Sequence, residues 1–391
     1  MPPKITCSEL YKIFGTEPER ALALLKNGRD KDAIYAETGQ VVGVESVSFK
    51  VDQGEIFVVM GLSGSGKSTL VRMLNGLIEP TAGEILIDDI DVASCTKEEL
   101  RAVRRDKIAM VFQHFALFPH KTVAENVAFG LKIKGTSVAE RRERALAALD
   151  QVGLSARADS YPDELSGGMQ QRVGLARGLA TDPEILLMDE PFSALDPLIR
   201  RDMQAELLEL QQKLKKTIVF ITHDLHEALI LGSRIAIMRN GRFVQTGTAE
   251  EIVGTPADDY VSAFTGDIDR SRVFRASSIA VEPATIALSA SASDAVHRME
   301  DLGLDALHVM DGERLAGILT YRDATKAIRE GEGALQGVLC RDFPSASPDD
   351  HLHDLYPMAQ SGLPIALSDS HGRFTGVVPP RAVFAKLAGA V

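Results

Sequence analysis

Cysteine is scarce in this sequence, with only three among 391 residues: Cys7, Cys95 and Cys340. Their number is odd, they lie far apart along the chain, and they do not have the spacing of metal ligands. We therefore predict reduced thiols with a structural role and no disulfide framework. His351 and His353 also lack further metal ligands at a useful spacing, so we interpret them as solvated side chains.

Long apolar runs are lacking as well. No window approaches the roughly 18 consecutive apolar residues that a membrane-spanning helix requires. Residues 1–4 do not lead into the apolar core of a signal peptide. We therefore expect the chain to stay in the cytosol and to make any membrane contact through a protein partner.

Positive charge is in deficit. The sequence has 43 lysine and arginine residues against 55 aspartate and glutamate residues, which gives a formal net charge of −12. This balance discourages non-specific attraction to nucleic acid or to an anionic bilayer, so we expect no nucleic-acid partner. The length predicts two or three domains, because single cores stop growing well below this size.

The strongest positive signal is a glycine-rich segment that follows an apolar run at 56–60, predicted to be a strand, and precedes a predicted helix at 70–74. Glycines let successive backbone N–H groups turn toward one centre, and the helix N-terminus adds partial positive charge there. This context predicts a polyphosphate site, in which Lys67 reaches the β- and γ-phosphates and the Ser68 hydroxyl ligates Mg²⁺. The segment consists of Gly61, Leu62, Ser63, Gly64, Ser65, Gly66, Lys67, Ser68 and Thr69.

Two later apolar runs end in polar or charged residues. Asp189 and Glu190 follow the first run, and His223 follows the second. A strand that delivers two adjacent carboxylates to its C-terminal end fits a Mg²⁺-nucleotide crevice in a parallel sheet. These runs therefore predict strands that point toward the same site.

Two further segments are ambiguous when only their residues are considered. Gln113 ends a short predicted strand, which a core strand followed by a packed loop explains as well as a functional site does. The sequence Ser166-Gly167-Gly168 is typical of a helix cap. A glycine pair at a helix N-terminus is equally an anion site, so both interpretations stay open.

Taken in order, these segments make residues 1–266 closely resemble the nucleotide-binding subunit of an ABC transporter. The motifs that carry the resemblance are Walker A at 61–69, the Q-loop residue Gln113, the signature at 165–170, Walker B ending at Asp189 beside Glu190, the D-loop at 193–196, and the switch histidine His223. The resemblance implies an α/β P-loop NTPase fold, with a RecA-like core, an antiparallel β subdomain and a helical subdomain at about 97–163.

Within that family, the segment Leu10–Gly15 and the insertion after it are similar to the ATPase of bacterial glycine betaine/proline betaine importers. The insertion at about 17–38 has the pattern of a short amphipathic helical piece, not of a tight hairpin loop. From its residue type alone Phe14 would be assigned to the core. The resemblance instead makes Phe14 the platform that stacks on adenine.

The resemblance also implies a shared site in a homodimer, with each ATP between Walker A of one copy and the signature of the other. Lys67 and the loop amides would hold the phosphates, while Ser68, Gln113 and Asp189 would act on Mg²⁺. Glu190 would polarise the attacking water, and His223 would hold the γ-phosphate and that water in register. The residues implied for the partner's ATP are Ser166, Gly167, Gly168 and Gln170, with Asp196 in the D-loop.

The C-terminal third contains an internal repeat after a predicted linker at 267–277. The repeat resembles a pair of CBS modules, at 278–334 and 335–391, which would form an α+β domain. Thr320 and Asp323 occupy the positions that contact a bound nucleotide in some relatives, so an adenine nucleotide is implied as a ligand of the first module. The second module has no matching Asp, and a dimerisation module without a ligand is an equally good interpretation.

The function implied is that of a peripheral ATPase on the cytoplasmic face of the inner membrane, which binds ATP and Mg²⁺ and energises import of a quaternary-amine osmoprotectant. Its partners would be two integral membrane permease subunits and, indirectly, an extracytoplasmic solute-binding protein. The alternatives are an importer of another small solute, such as choline or an amino acid, or a non-transport ABC ATPase.

Overall fold

The computed structural model describes residues 2–113, 115–331 and 333–388. The chain divides into two compact units, one ending at Gly266 and the other beginning at Asp267. Within the described residues, no helix combines the length and the apolar character needed to cross a membrane.

The first unit contains ten strands and twelve α-helices within its described residues. The strands are β1 (Ile5–Phe14), β2 (Val41–Val51), β3 (Ile56–Met60), β4 (Ala82–Ile87), β5 (Ile90–Asp91), β6 (Ile108–Phe112), β7 (Ile185–Asp189), β8 (Thr217–Thr222), β9 (Arg234–Arg239) and β10 (Arg242–Gly247). The helices are α1 (Pro18–Lys26), α2 (Lys31–Thr38), α3 (Lys67–Leu74), α4 (Lys97–Asp106), α5 (Val123–Val127), α6 (Phe129–Ile133), α7 (Val138–Gln151), α8 (Gly167–Leu179), α9 (Pro197–Leu214), α10 (Leu225–Leu231), α11 (Ala249–Gly254) and α12 (Asp259–Thr265).

A six-stranded sheet in the order β10-β9-β3-β8-β7-β6 forms the centre of this unit. Its strands are parallel except for β10, which pairs antiparallel with β9. Every residue of β3, β7 and β8 is buried. Such continuous apolar runs are expected where helices or a second sheet cover both faces of a parallel sheet.

A four-stranded antiparallel sheet in the order β2-β1-β4-β5 lies next to it. Apolar side chains from both sheets and from α3 form one core cluster. At the junction the rings of Phe49 and Phe57 stack with their centroids 5.0 Å apart. This packing fixes the antiparallel sheet, and with it the end of β1, relative to the central sheet.

Helices α1 and α2 occupy the segment between β1 and β2 that was predicted to be a helical insertion. Ala21, Leu22 and Leu25 of α1 pack with Ile34 of α2 in a small cluster on β1. The side chain of Asp30 caps α2 by accepting a hydrogen bond from the Ala33 N–H group at 2.9 Å. The insertion therefore has its own apolar contacts with the sheet.

The range predicted as the helical subdomain, about 97–163, is mostly helical but also contains a strand. It contains α4, α5, α6 and α7, but also β6, which pairs with β7 at the edge of the central sheet. The continuously helical part therefore begins at α5. The short strand predicted to end at Gln113 corresponds to β6, which ends one residue earlier, at Phe112.

The second unit has two similar halves, each with a strand, a helix, two strands and a helix. The first half contains β11 (Thr285–Ala287), α13 (Ala292–Leu302), β12 (Ala306–Asp311), β13 (Arg314–Thr320) and α14 (Tyr321–Glu330). The second contains β14 (Ser345–Ala346), α15 (Leu352–Ala359), β15 (Ile365–Ser368), β16 (Phe374–Val378) and α16 (Pro380–Leu387). In each half the first strand pair is parallel and the second antiparallel. The predicted module end at 389–391 lies outside the described residues.

The stacked Phe49–Phe57 pair leads to a stability prediction. Because Phe57 is fully buried, Phe57→Ala is expected to lower the free energy of unfolding of the first unit by about 3–5 kcal/mol. Urea unfolding monitored by circular dichroism measures this change. Ile133→Ala is the control, since Ile133 is 65% exposed on α6. Equal effects of the two substitutions would contradict the assignment of Phe57 to the core.

Candidate functional site

The glycine-rich loop connects β3 to α3 and is tightly packed from behind. Gly61 and Gly66 have φ angles of +157° and +106°. A Cβ atom on Gly61 would lie 2.2 Å from the carbonyl oxygen of Met238, and one on Gly66 would lie 2.5 Å from that of Gly43. Glycine is therefore required at both positions by conformation and by the close approach of other backbone segments.

Lys67 begins α3 and is only 4% exposed. Its Nζ atom donates hydrogen bonds to the carbonyl oxygens of Gly61 at 2.8 Å and Leu62 at 3.0 Å. The same atom lies 3.7 Å from Oε1 of Glu190. Burial lowers the pKa of Lys67, while the charges of Glu190 and Asp189 act in the opposite direction. The loop thus holds a cation beside two carboxylates.

Ser68 and Asp189 form the second contact across the site. The Ser68 hydroxyl donates to Oδ1 of Asp189 at 3.0 Å. Asp189 ends β7 and is 8% exposed, and burial raises its pKa although the Ser68 hydrogen bond lowers it. A hydroxyl and carboxylate oxygens are ligands that Mg²⁺ prefers, so this donor set fits that ion.

The loop also contains a polar atom without a partner. The hydroxyl oxygen of Ser65 is buried, and the described residues provide no hydrogen bond to it. Buried polar groups are usually satisfied, and a ligand is one of the ways in which they are. Together with the Ser68–Asp189 donor set, this atom supports a phosphate and metal site at the loop.

Glu190 and His223 meet at the same edge of the sheet. His223 follows β8 as Glu190 follows β7, and these strands are parallel neighbours. The Nδ1 atom of His223 lies 2.9 Å from Oε2 of Glu190. Glu190 adopts a left-handed conformation with a φ of +47°, and its N–H group donates to the Ile221 carbonyl at 3.0 Å. The sequence predicted both residues as strand-end groups, and the sheet brings them into contact.

Gln113 and Phe14 come from the two different sheets of this unit, at the margin of the site. Gln113 follows β6, the strand next to β7, and is exposed. Phe14 ends β1 and is 40% exposed. The Nζ atom of Lys12 lies 5.2 Å from the centroid of its ring, and the ring packs closely against Gly43. Phe14 therefore offers an aromatic surface and is not part of the main core.

The signature residues lie at the start of α8. The Ser166 hydroxyl caps this helix by accepting from the Met169 N–H group at 3.4 Å, and Gln170 donates to the carbonyl oxygens of Pro162 and Leu165. Ser166 and Gly167 are exposed. Within the described part of the chain, no hydrogen bond or ion pair joins residues 166–170 to the glycine loop. Ser166 therefore caps α8 and, together with Gly167, is still accessible at the surface of the unit.

Asp196, the D-loop residue, caps α9. Its Oδ1 atom accepts a hydrogen bond from the Ile199 N–H group at 3.1 Å. Asp196 is itself exposed. Its carboxylate is thus fixed at a helix N-terminus on the surface of the unit.

Sequence reasoning did not identify the residues that support the loop from behind. The Gly241 N–H group donates to the Ser65 carbonyl at 2.8 Å, and the Glu45 N–H group donates to the Gly241 carbonyl at 2.8 Å. Lys31 of α2 donates to the Asn240 carbonyl and lies 3.2 Å from Glu45. The Asn240-Gly241 dipeptide does predict a hairpin turn. That this turn contacts the loop, and that the insertion contacts the turn, depends on long-range packing.

Thr320 and Asp323 in the second unit are bonded to each other. The Thr320 hydroxyl donates to Oδ2 of Asp323 at 2.6 Å and accepts from the Asp323 N–H group at 3.1 Å, which caps α14. Thr320 also lines a cavity of about 740 Å³ between the two halves. His308, 2% exposed, lines the same cavity, and burial lowers its pKa to about 4.

Comparison with known proteins agrees with this geometry. The ABC transporter family model matches residues 44–193, and the CBS domain model matches residues 276–330. The glycine betaine transport ATP-binding protein OpuAA of Bacillus subtilis is 48% identical over 99% of this chain and 93% of its own length. The glycine betaine/carnitine transport ATP-binding protein GbuA of Listeria monocytogenes is 48% identical over 99% of this chain and 98% of its own length.

A solved structure also resembles the chain. The dimeric structure of MJ0796, a bacterial ABC transporter cassette, is 35% identical with a TM-score of 0.53, and the match covers 62% of this chain and 98% of that one. The predicted fold class, an ABC ATPase followed by a CBS domain, is confirmed. The chain therefore belongs to the ATP-binding proteins of ABC transporters, within the group of glycine betaine transport ATP-binding proteins.

Proposed function

We propose that this chain is the ATP-hydrolysing subunit that energises import of glycine betaine, proline betaine or a related quaternary amine. The observation that carries the ATPase function is the meeting of Lys67, Glu190 and His223 at one edge of a parallel sheet. The solute class is supported by relatives that match nearly the whole chain and whose names specify glycine betaine.

The residues of the loop have distinct parts in binding ATP. Lys67 would exchange its hydrogen bonds to loop carbonyls for bonds to phosphate oxygens, a role that suits a buried cation at the centre of the loop. Ser68, Asp189 and Gln113 would hold Mg²⁺. When bound, Mg²⁺ supplies charge neutralisation at the phosphates. Phe14 would stack on the adenine ring.

Glu190 and His223 would act on the attacking water. The Glu190 carboxylate is hydrogen-bonded to His223 through one oxygen, which fixes the direction of the other. That arrangement suits a group that accepts a proton from water or polarises it. His223 would orient Glu190 through Nδ1, and its imidazole ring would help to hold the attacking water. Positioning and charge, not covalent chemistry, would lower the barrier.

The signature residues would act on the ATP of a second copy. Ser166 and Gly167 are exposed at a helix N-terminus, where backbone N–H groups and the helix dipole favour an anion. The resemblance to a dimeric cassette supports a head-to-tail homodimer in which Ser166, Gly167, Gly168 and Gln170 face the partner's phosphates. Asp196, capping α9, would lie at the same interface.

The subunit would bind two integral membrane permease subunits on the cytoplasmic face of the membrane and thereby serve an extracytoplasmic solute-binding protein. We assign residues 1–266 to the nucleotide-binding domain, 267–277 to a linker, and 278–334 and 335–391 to two CBS modules that regulate transport. An adenine nucleotide at the first module would have to displace the hydrogen bond between Thr320 and Asp323.

Transport in proteoliposomes tests the proposed function. The full chain is reconstituted with the membrane subunits that co-purify with it, and uptake of radiolabelled glycine betaine is measured with ATP enclosed on the side of the ATPase. We expect ATP-dependent uptake that unlabelled proline betaine inhibits. Uptake of choline or an amino acid but not of glycine betaine would reject the solute class.

The role of Glu190 leads to a prediction that separates binding from chemistry. Glu190→Gln keeps the size and hydrogen bonding of the side chain but removes the charge that polarises water. The hydrolysis rate is expected to fall about 10²–10⁴-fold, with ATP binding retained. Phosphate release and nucleotide binding are measured separately. Glu209→Gln, at an exposed position of α9, is the matched control. Rapid hydrolysis by Glu190→Gln would rule out the role.

The exposed signature leads to a second prediction. Ser166→Arg puts bulk and charge where the partner's phosphates would dock, so hydrolysis is expected to fall steeply while ATP still binds to each copy. Ser137→Arg is the control, because the exposed Ser137 caps α7 with the same 3.4 Å hydrogen bond. Both variants lose a helix cap worth about 1 kcal/mol. If they hydrolyse ATP equally well, the signature does not act at a shared site.

A further inference from the structure

A buried carboxylate lies behind the Glu190–His223 pair and takes no part in the site described above. Glu227, in the first turn of α10, is 4% exposed. Its Oε2 atom accepts a hydrogen bond from the Thr222 hydroxyl at 2.6 Å, and its Oε1 atom accepts one from Nε2 of Gln204 at 3.3 Å. Glu227 therefore connects α10 to the end of β8 and to α9.

Arg200 on α9 completes this network with three contacts in different directions. Nη1 donates to Oδ2 of Asp224 at 3.2 Å, and Nη2 donates to the Leu195 carbonyl at 3.2 Å. Nε lies 3.7 Å from Oε1 of Glu227. A planar guanidinium group can make such divergent contacts at once, which a lysine ammonium cannot do in the same fixed geometry.

The contacts hold the chain on both sides of His223. Thr222, immediately before it, is bonded to Glu227, and Asp224, immediately after it, is bonded to Arg200. The Thr222 hydroxyl also accepts from the Asp224 N–H group at 3.0 Å. The backbone around His223 thus has little freedom, and its ring lies 2.9 Å from Glu190.

The same guanidinium group binds the D-loop. Leu195 belongs to the D-loop at 193–196 and is buried. Its carbonyl oxygen accepts a hydrogen bond from Arg200. Arg200 lies in the first turn of α9, four residues after the cap residue Asp196. A shift of the D-loop would therefore be transmitted through Arg200 to Asp224, and from there to the turn that carries His223.

Stability alone is a poor explanation for this network. Buried ion pairs seldom stabilise a fold more than apolar residues of the same volume, because removing the charges from water is costly. Burial raises the pKa of Glu227, although the hydrogen bond from Thr222 and the charge of Arg200 oppose this. The hydrogen bonds from Thr222 and Gln204 to Glu227, and from Arg200 to Asp224, do restrict these side chains to one arrangement. Such a restriction is useful where a catalytic geometry must be held.

We propose that Arg200 and Glu227 are positioning residues for ATP hydrolysis, which hold the turn at His223 and the D-loop carbonyl of Leu195 in one register. They act through His223 and do not touch ATP. This inference rests on the proposed function, because it assumes that Glu190 and His223 act on the attacking water.

The test uses the full chain and steady-state ATP hydrolysis. Arg200→Gln removes the contacts to Asp224 and Leu195, so kcat is expected to fall roughly 10- to 100-fold, as small misplacements of reacting groups do. KM for ATP is expected to stay within about twofold of the original value, because the glycine loop is untouched. Arg201→Gln, at the exposed next position of α9, is the control and should keep both constants.

Further variants keep the test decisive if Arg200→Gln does not fold. Arg200→Lys retains a cation beside Glu227 but cannot reach all three oxygen groups, and it should lower kcat by a smaller factor than Arg200→Gln. Glu227→Gln still accepts from Thr222 but loses its attraction to Arg200. Because the two residues act as one network, the double variant Arg200→Gln/Glu227→Gln should be no slower than the slower single variant.

Two outcomes would overturn the inference while leaving the ATPase function intact. One is an unchanged kcat in folded Arg200→Lys and Glu227→Gln variants. The other is a double variant whose loss equals the product of the two single losses, which would mean that the residues act independently. If the unaltered chain hydrolyses no ATP, it is the proposed function that fails.

Discussion

The parallel alignment of β3, β8, β7 and β6 is the constraint on which the site depends. Strands that run in the same direction end at the same edge of a sheet, so the groups that follow them meet there. Lys67 follows the loop after β3, Glu190 follows β7, and His223 follows β8. These residues are far apart in sequence, yet Glu190 lies 3.7 Å from Lys67 and 2.9 Å from His223. A shift of one strand by a single residue would separate them.

The charged side chains at this edge of the sheet offset one another's cost of burial, because opposite charges lie close together. Lys67 and Asp189 are both buried. Burial lowers the pKa of Lys67 and raises the pKa of Asp189, and both shifts favour the neutral side chain. The attraction between Lys67 and Asp189 opposes both pKa shifts, and the attraction between Lys67 and Glu190 opposes the shift of Lys67. Behind them, Arg200 and Glu227 form a second set of opposite charges. The unit thus places two sets of paired charges near the ends of its central strands, although buried ion pairs seldom stabilise a fold more than apolar residues of the same volume.

The insertion also supports the glycine loop, through the turn at Asn240-Gly241. Lys31, on α2, contacts both the Asn240 carbonyl and Glu45, and the turn at Gly241 supports the loop at Ser65. In the second unit, by comparison, Thr320 and Asp323 are hydrogen-bonded to each other, and an apolar cluster formed mainly by α13, β12, β13 and α14 makes the core of its first half.

The sequence by itself determined the fold class and the order of its motifs, because glycine loops, continuous apolar strands and capping residues are local patterns. It also indicated Glu190 and His223 as strand-end groups. It could not determine that the insertion supports the glycine loop, or that Arg200 joins the D-loop to the turn at His223. Those contacts connect residues that are distant in the chain, and only the packing of the sheet and its helices brings them within hydrogen-bonding distance.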